Sequence, residues 1–213
     1  MAEADRTPRG DVDDLDVPLR RLTLLAGAIA GRRMRVTADD VARAWNDRET
    51  VVLPRELVRG GRPRATVVLQ AALVAAGSLD RDPMRALARC RAGVSDRFLV
   101  LEAVRAAALF TDLLPRSVLT AIASVSGELT VPGSVWDSLE RARSDETLPS
   151  VAEWYGRIRA RALARSDAED AGETGGVAPS ERDHAGTAKE QAVAARDDEE
   201  AEDAETSTSM QKL

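Results

Sequence analysis

The side chains best suited to acid–base, nucleophilic or metal chemistry are scarce. Among 213 residues there is one histidine, His184, and one cysteine, Cys90. A lone cysteine rules out an internal disulfide, and the two together leave few nitrogen and sulfur ligands for a transition metal. His184 lies in a stretch too polar to build a core, so a histidine general base inside a folded body is excluded. The sequence contains no HExxH, CxxC, GxxxxGKS/T, GxGxxG or GxSxG, the spacings that zinc hydrolysis, phosphate cradles and nucleophile elbows require. Carboxylates do come in pairs, Asp39 with Asp40 and Asp145 with Glu146. Neighbours on a helix point in different directions, so these pairs read as caps and solvated faces. Glu102 and Arg105, three residues apart, can meet on one helix face. The plainer reading is an exposed ion pair, the alternative a buried one. Cys90 stands between Arg89 and Arg91, whose charge would favour a reactive thiolate, although a small core-facing residue explains it more simply. The chain therefore reads as a binding protein, not an enzyme, with no cofactor and no metal.

Positive charge is the other resource. Arg20, Arg21, Arg32, Arg33 and Arg35 cluster near the start, and Arg55, Arg59, Arg62 and Arg64 flank Gly60 and Gly61. The net charge is −6, but residues 164–213 hold 14 acids against five bases, and residues 18–163 hold 23 bases against 16 acids. The body is basic and both ends are acidic. Arginine fits phosphate, which makes nucleic-acid binding the rival function. It is the less favoured one, because no aromatic side chains interleave with the arginines as a stacking platform. Lys189 and Lys212 are the only lysines, so positive charge is coded as Arg throughout the body.

The elements that must position these groups are helical. With 44% apolar and only 3% aromatic residues, a core has to be built from Leu, Val, Ile and Ala. Leu19, Leu22, Leu25, Ala26 and Ile29 recur at three-and-four spacing after Pro18 and before Gly31, predicting an amphipathic helix. Thr37 with Asp40 resembles a capping box opening a short helix through Trp45. Thr50 to Leu53 reads as a strand closed by Pro54, with no identifiable partner. Residues 63–77, PRATVVLQAALVAAG, are apolar on nearly every face and predict a central, covered helix. Further helices are expected from Asp82 to Gly93, from a Ser95 cap to Leu113, over 115–125, over 134–142 and over 149–164. On the last, Arg157, Arg159 and Arg161 beside Trp154 and Tyr155 are the first choice for partner contact; the competing reading puts the two aromatics in the core.

From Ser166 onward the composition cannot bury enough apolar surface to offset the entropy of ordering it. The expected organisation is thus a flexible stretch 1–16, an all-α or mainly α compact domain over 17–164 with at most one short strand pairing, and a disordered acidic tail over 165–213. The acid run 197–205 reads as a solvated spacer in preference to an interaction tail. No apolar run reaches the roughly 18–20 residues needed to span a bilayer, and the start has no basic region followed by an apolar stretch. A soluble, cytoplasmic protein with no membrane partner is expected.

The order of segments resembles a known family. LLAGAIAG (24–31), AWNDRETVVLP (44–54), VVLQAALVAAGSLD (67–80), DRFLVLEAVRAAA (96–108) and LLP (113–115) are similar to the amino-terminal region of large von Willebrand factor A domain proteins of the nitric oxide reductase activation (NorD and CbbO) type. In that family a helical region is followed by an acidic linker and a von Willebrand A domain. The likeness covers residues 19–205 and rests on apolar segments without catalytic residues. The A domain and its DxSxS adhesion motif are missing, so no metal-site residue carries over, and the chain looks like the front part of such a protein, as a fragment or a stand-alone relative. The resemblance implies an adaptor that works with a MoxR-type AAA+ ATPase to remodel or activate a client protein.

Overall fold

The computed structural model describes residues 13–61 and 63–173. The expected flexible start up to residue 12 and the tail from 174 lie outside them. The fold is mainly α, with eight helices among the described residues and one small sheet. No helix in this part is long and apolar enough to cross a membrane.

Helix α1 (Asp13–Ala30) begins one turn earlier than Pro18 suggested. Three strands follow: β1 (Arg35–Asp39), β2 (Trp45–Asn46) and β3 (Thr50–Pro54). The helix expected over 37–45 is absent. Val36 is buried between exposed Arg35 and Thr37, a period of two that suits a strand. β3 pairs in parallel with β1, Val51 opposite Val36, and antiparallel with β2, so the order is β1-β3-β2. The single pairing expected is therefore two. Val51, Val52 and Leu53 are all buried, and a buried strand needs both of its edges satisfied.

After α2 (Arg55–Gly60), helix α3 (Pro63–Ala75) runs through the centre. Eight consecutive residues, Thr66 to Leu73, are buried, which is why its sequence shows no polar face. α4 (Arg81–Ala88), α5 (Val94–Leu109), α6 (Arg116–Ser126) and α7 (Val135–Arg143) complete the body. Ser134 caps α7 by accepting from the Asp137 amide, as expected of that residue type. Ser95 does not cap α5; Gly93 stands at that position. α5 forms the wall between two apolar clusters. Leu99, Ala103 and Ala106 join the cluster of α1, the sheet, α3 and α6, and Val94, Phe98 and Leu101 join Met84, Leu87, Leu139 and Leu163.

Glu102 and Arg105 sit inside this wall, not on an exposed face. Arg105 Nη2 meets Glu102 Oε2 at 2.5 Å and Nε meets Oε1 at 2.8 Å, with the Glu102 side chain wholly inaccessible. Arg105 also donates to the carbonyl of Ala76 at 2.8 Å, closing the C-terminal end of α3.

The last segment departs most from expectation. The predicted helix over 149–164 is a 3₁₀ turn at Glu153–Tyr155, an extended stretch, and then α8 (Ala160–Glu173). α8 runs into residues 165–173, which were expected to be disordered. Apolar burial alone would not order them, but Asp167 is 7% exposed and bidentate with Arg48, at 2.5 and 3.0 Å. Arg48 occupies the β2–β3 hairpin at φ +83°, a strained conformation for a non-glycine residue, and its Nε donates to the Leu79 carbonyl at 2.6 Å. The Arg48 hydrogen bonds hold the Asp167 carboxyl below its ordinary value of 3.8, against an upward push from burial. A carboxyl lowered in the folded state contributes stability that is complete above the unfolded value and is lost as pH falls through the folded one. Asp167→Asn should therefore flatten the loss of stability below about pH 4, read from urea midpoints across pH 2–6. An unchanged acid limb would contradict the pairing.

Candidate functional site

Trp154 and Tyr155 are placed by a buried polar network. Asn46 Nδ2 donates to Gln70 Oε1 at 2.5 Å, and Gln70 Nε2 donates to the Tyr155 carbonyl at 2.5 Å. The Arg157 amide donates to the Ala44 carbonyl at 2.8 Å, and Arg43 donates to the Gly156 carbonyl. The C-terminal end of the 3₁₀ turn is thereby fastened to α3 and to the residues just before β2. Tyr155 is fully buried, its ring edge-on to Trp154 with centroids 4.5 Å apart. Burial pushes its phenol well above the ordinary value.

The five residues singled out in sequence do not form one surface. Tyr155 is core, and Arg157 is exposed and attached through its backbone. Trp154 is half-buried and borders two adjoining grooves. One, of about 650 Å³, is mostly apolar and is lined by Leu57, Ala65, Pro115, Val118 and Trp154, with Arg64 at its edge. The other, of about 540 Å³, shares Leu57 and Trp154 and adds Arg43, Glu56, Thr66 and Glu153. The Thr66 hydroxyl, on a fully buried residue, and the Arg43 Nε have no hydrogen-bond partner. Native proteins rarely leave such groups unmet.

Arg159 and Arg161 belong elsewhere, to a cavity of about 370 Å³ between α4, α5 and α8. Arg159 stacks over Trp45 at 4.2 Å and Arg161 Nε donates to the Ala88 carbonyl at 3.4 Å. Arg91, Arg165, Cys90 and Ser95 complete the polar lining, and no carboxylate belongs to it. Cys90 is half-buried, its thiol donating to the Ala86 carbonyl and accepting from Arg143 Nε at 3.1 Å.

Sequence reasoning missed Leu57 and Thr66, and read Arg64 only as part of the arginine cluster around Gly60 and Gly61, because their chain separation from Trp154 carries no local signal. It also missed Arg91 and Arg165 as partners of Arg159 and Arg161. Gly156 was the readable clue, since a glycine amid an apolar helical pattern marks a break. Comparison with family models, with curated proteins and with solved structures finds no match.

Proposed function

We propose that this chain is a non-catalytic adaptor of the cytoplasm, working with a MoxR-type AAA+ ATPase to remodel or activate a client protein. The observation that carries a binding role is the double groove around Trp154. A half-buried tryptophan over an apolar floor is the kind of anchor that dominates protein interfaces. The assignment of the partner as a MoxR-type ATPase, with a client, rests on the resemblance in segment order described above.

Trp154→Ala is expected to weaken the complex with the ATPase by at least about 2 kcal/mol, roughly thirtyfold in Kd, measured by titration calorimetry with the full chain. Unchanged affinity in Trp154→Ala would remove the groove from the interface. The nucleic-acid reading draws on the arginine clusters of residues 20–35 and 55–64 and predicts a steep salt-dependent mobility shift with duplex DNA, which the adaptor reading does not.

A further inference from the structure

We infer that the arginine-lined cavity between α4, α5 and α8 is a binding site for a small phosphate-bearing ligand, separate from the Trp154 groove. Arg91, Arg159, Arg161 and Arg165 line one concavity whose lining contains no acidic side chain. All four are exposed, and in a chain of net charge −6 like charges gathered along one concavity create a local positive potential that attracts anions. Asp145 approaches Arg91 at 3.9 Å, but both side chains stand in solvent, where such a pair contributes little. Asp96, in the first turn of α5, turns to Arg43 at 3.5 Å and stays out of the lining.

The arginines are also held for the task. The guanidinium of Arg159 is fixed over the Trp45 ring and that of Arg161 is tied to Ala88, so less side-chain entropy is lost when they close on an anion. Guanidinium presents paired N–H groups in a plane that matches two phosphate oxygens. The beginnings of two helices reinforce the field: Ser95 in the first turn of α5 and Ala160 to Ala162 in the first turn of α8 both border the cavity, and no acid lies in the first turn of α8. A volume of about 370 Å³ lies within the range of small-ligand sites and suits a diphosphate group better than a folded protein segment.

The probe is inorganic pyrophosphate, titrated by calorimetry into the full chain at constant ionic strength, with ADP as a second arm. One-to-one saturable binding is expected, weakened about tenfold or more in Arg159→Gln and in Arg165→Gln and unchanged in Arg157→Gln, which lies outside the cavity. Arg165→Gln serves as the reporter should Arg159→Gln disturb packing against Trp45. Cys90, the only cysteine, gives a second readout at the same place: pyrophosphate should slow its reaction with a thiol reagent in the wild type and not in Arg165→Gln. ADP binding tighter than pyrophosphate assigns a nucleotide, and equal binding assigns the free anion. The inference is overturned by absence of saturable binding, by equal loss in Arg157→Gln, or by displacement of pyrophosphate by duplex DNA at equal phosphate concentration. None of these readouts involves Trp154, so the adaptor reading stands or falls separately.

Discussion

Arg105→Ala should be the most damaging single substitution in the body, lowering the unfolding free energy by about 3–5 kcal/mol. Its partner Glu102 is completely inaccessible, so truncation leaves a carboxylate in the interior between two apolar clusters with its main donor gone. The Ala76 carbonyl and the Ser78 hydroxyl lose the same guanidinium, at 2.8 and 3.3 Å. Against a total stability of about 5–15 kcal/mol for an ordinary domain, that loss would bring the chain near unfolding at growth temperature. The pair as a whole is expected to matter far less than either member alone. Replacing both, Glu102→Leu with Arg105→Met, exchanges a costly desolvated pair for apolar volume and should return stability to within about 2 kcal/mol of the wild type or above it. Urea unfolding of the three variants measures this directly. An Arg105→Ala variant within about 1 kcal/mol of the wild type, which is the range of an exposed pair, would contradict the buried arrangement.

Gly156→Ala should come second and should reach the proposed function as well. Gly156 adopts φ +81°, and an added Cβ would stand 2.5 Å from the Ala44 carbonyl oxygen and 2.9 Å from Gln70 Nε2. The first of these is backbone in a stretch that also accepts the Arg157 amide, so it cannot turn aside. Left-handed strain alone costs about 1–3 kcal/mol, and the collision adds to it. A loss of about 3 kcal/mol would lower Tm by about 6–12 °C in a chain of this size. Because Gly156 follows directly on Trp154 and Tyr155, the same change should displace the groove wall and weaken partner binding in whatever fraction remains folded. A wild-type Tm would mean that the turn at residues 153–156 is not fastened to α3 and the residues just before β2 as described.

These two positions also mark where sequence reading succeeds and where it stops. α3 was legible because a run apolar on every face has only one comfortable place, the middle of the body, and all eight residues from Thr66 to Leu73 are indeed buried. Capping was not legible: Ser95 was read as the cap of α5, where Gly93 stands, while Ser134, read only as the start of a helix, caps α7. The spacing of Glu102 and Arg105 was legible, but their burial was not, since it depends on α3 and α7 packing over α5 from distant parts of the chain. The Thr50–Leu53 strand could be read from its β-branched run, whereas its partners could not. β1 lies across a parallel pairing, whose register leaves no local mark. Residues 149–164 misled for a related reason. Trp154, Tyr155, Ile158 and Ala162 have helical spacing, yet the backbone around Gly156 is claimed by Ala44, Gln70 and Arg43, tertiary bonds that override local propensity. The order in residues 165–173 likewise comes from Arg48, more than a hundred residues earlier. For the same reason the arginines picked from one expected helix part company in the fold, with Arg159 and Arg161 joining Arg91 at the end of α4.

The adaptor role is tested most directly by affinity capture of the full chain from a lysate of its source organism, with ADP or a non-hydrolysable ATP analogue, followed by mass spectrometry. The wild type should recover a MoxR-type AAA+ ATPase in a nucleotide-dependent manner, and Trp154→Ala should not, while Arg165→Gln should recover it as the wild type does. Recovery of no such ATPase in either nucleotide state, or of nucleic acid in its place, would contradict the adaptor reading.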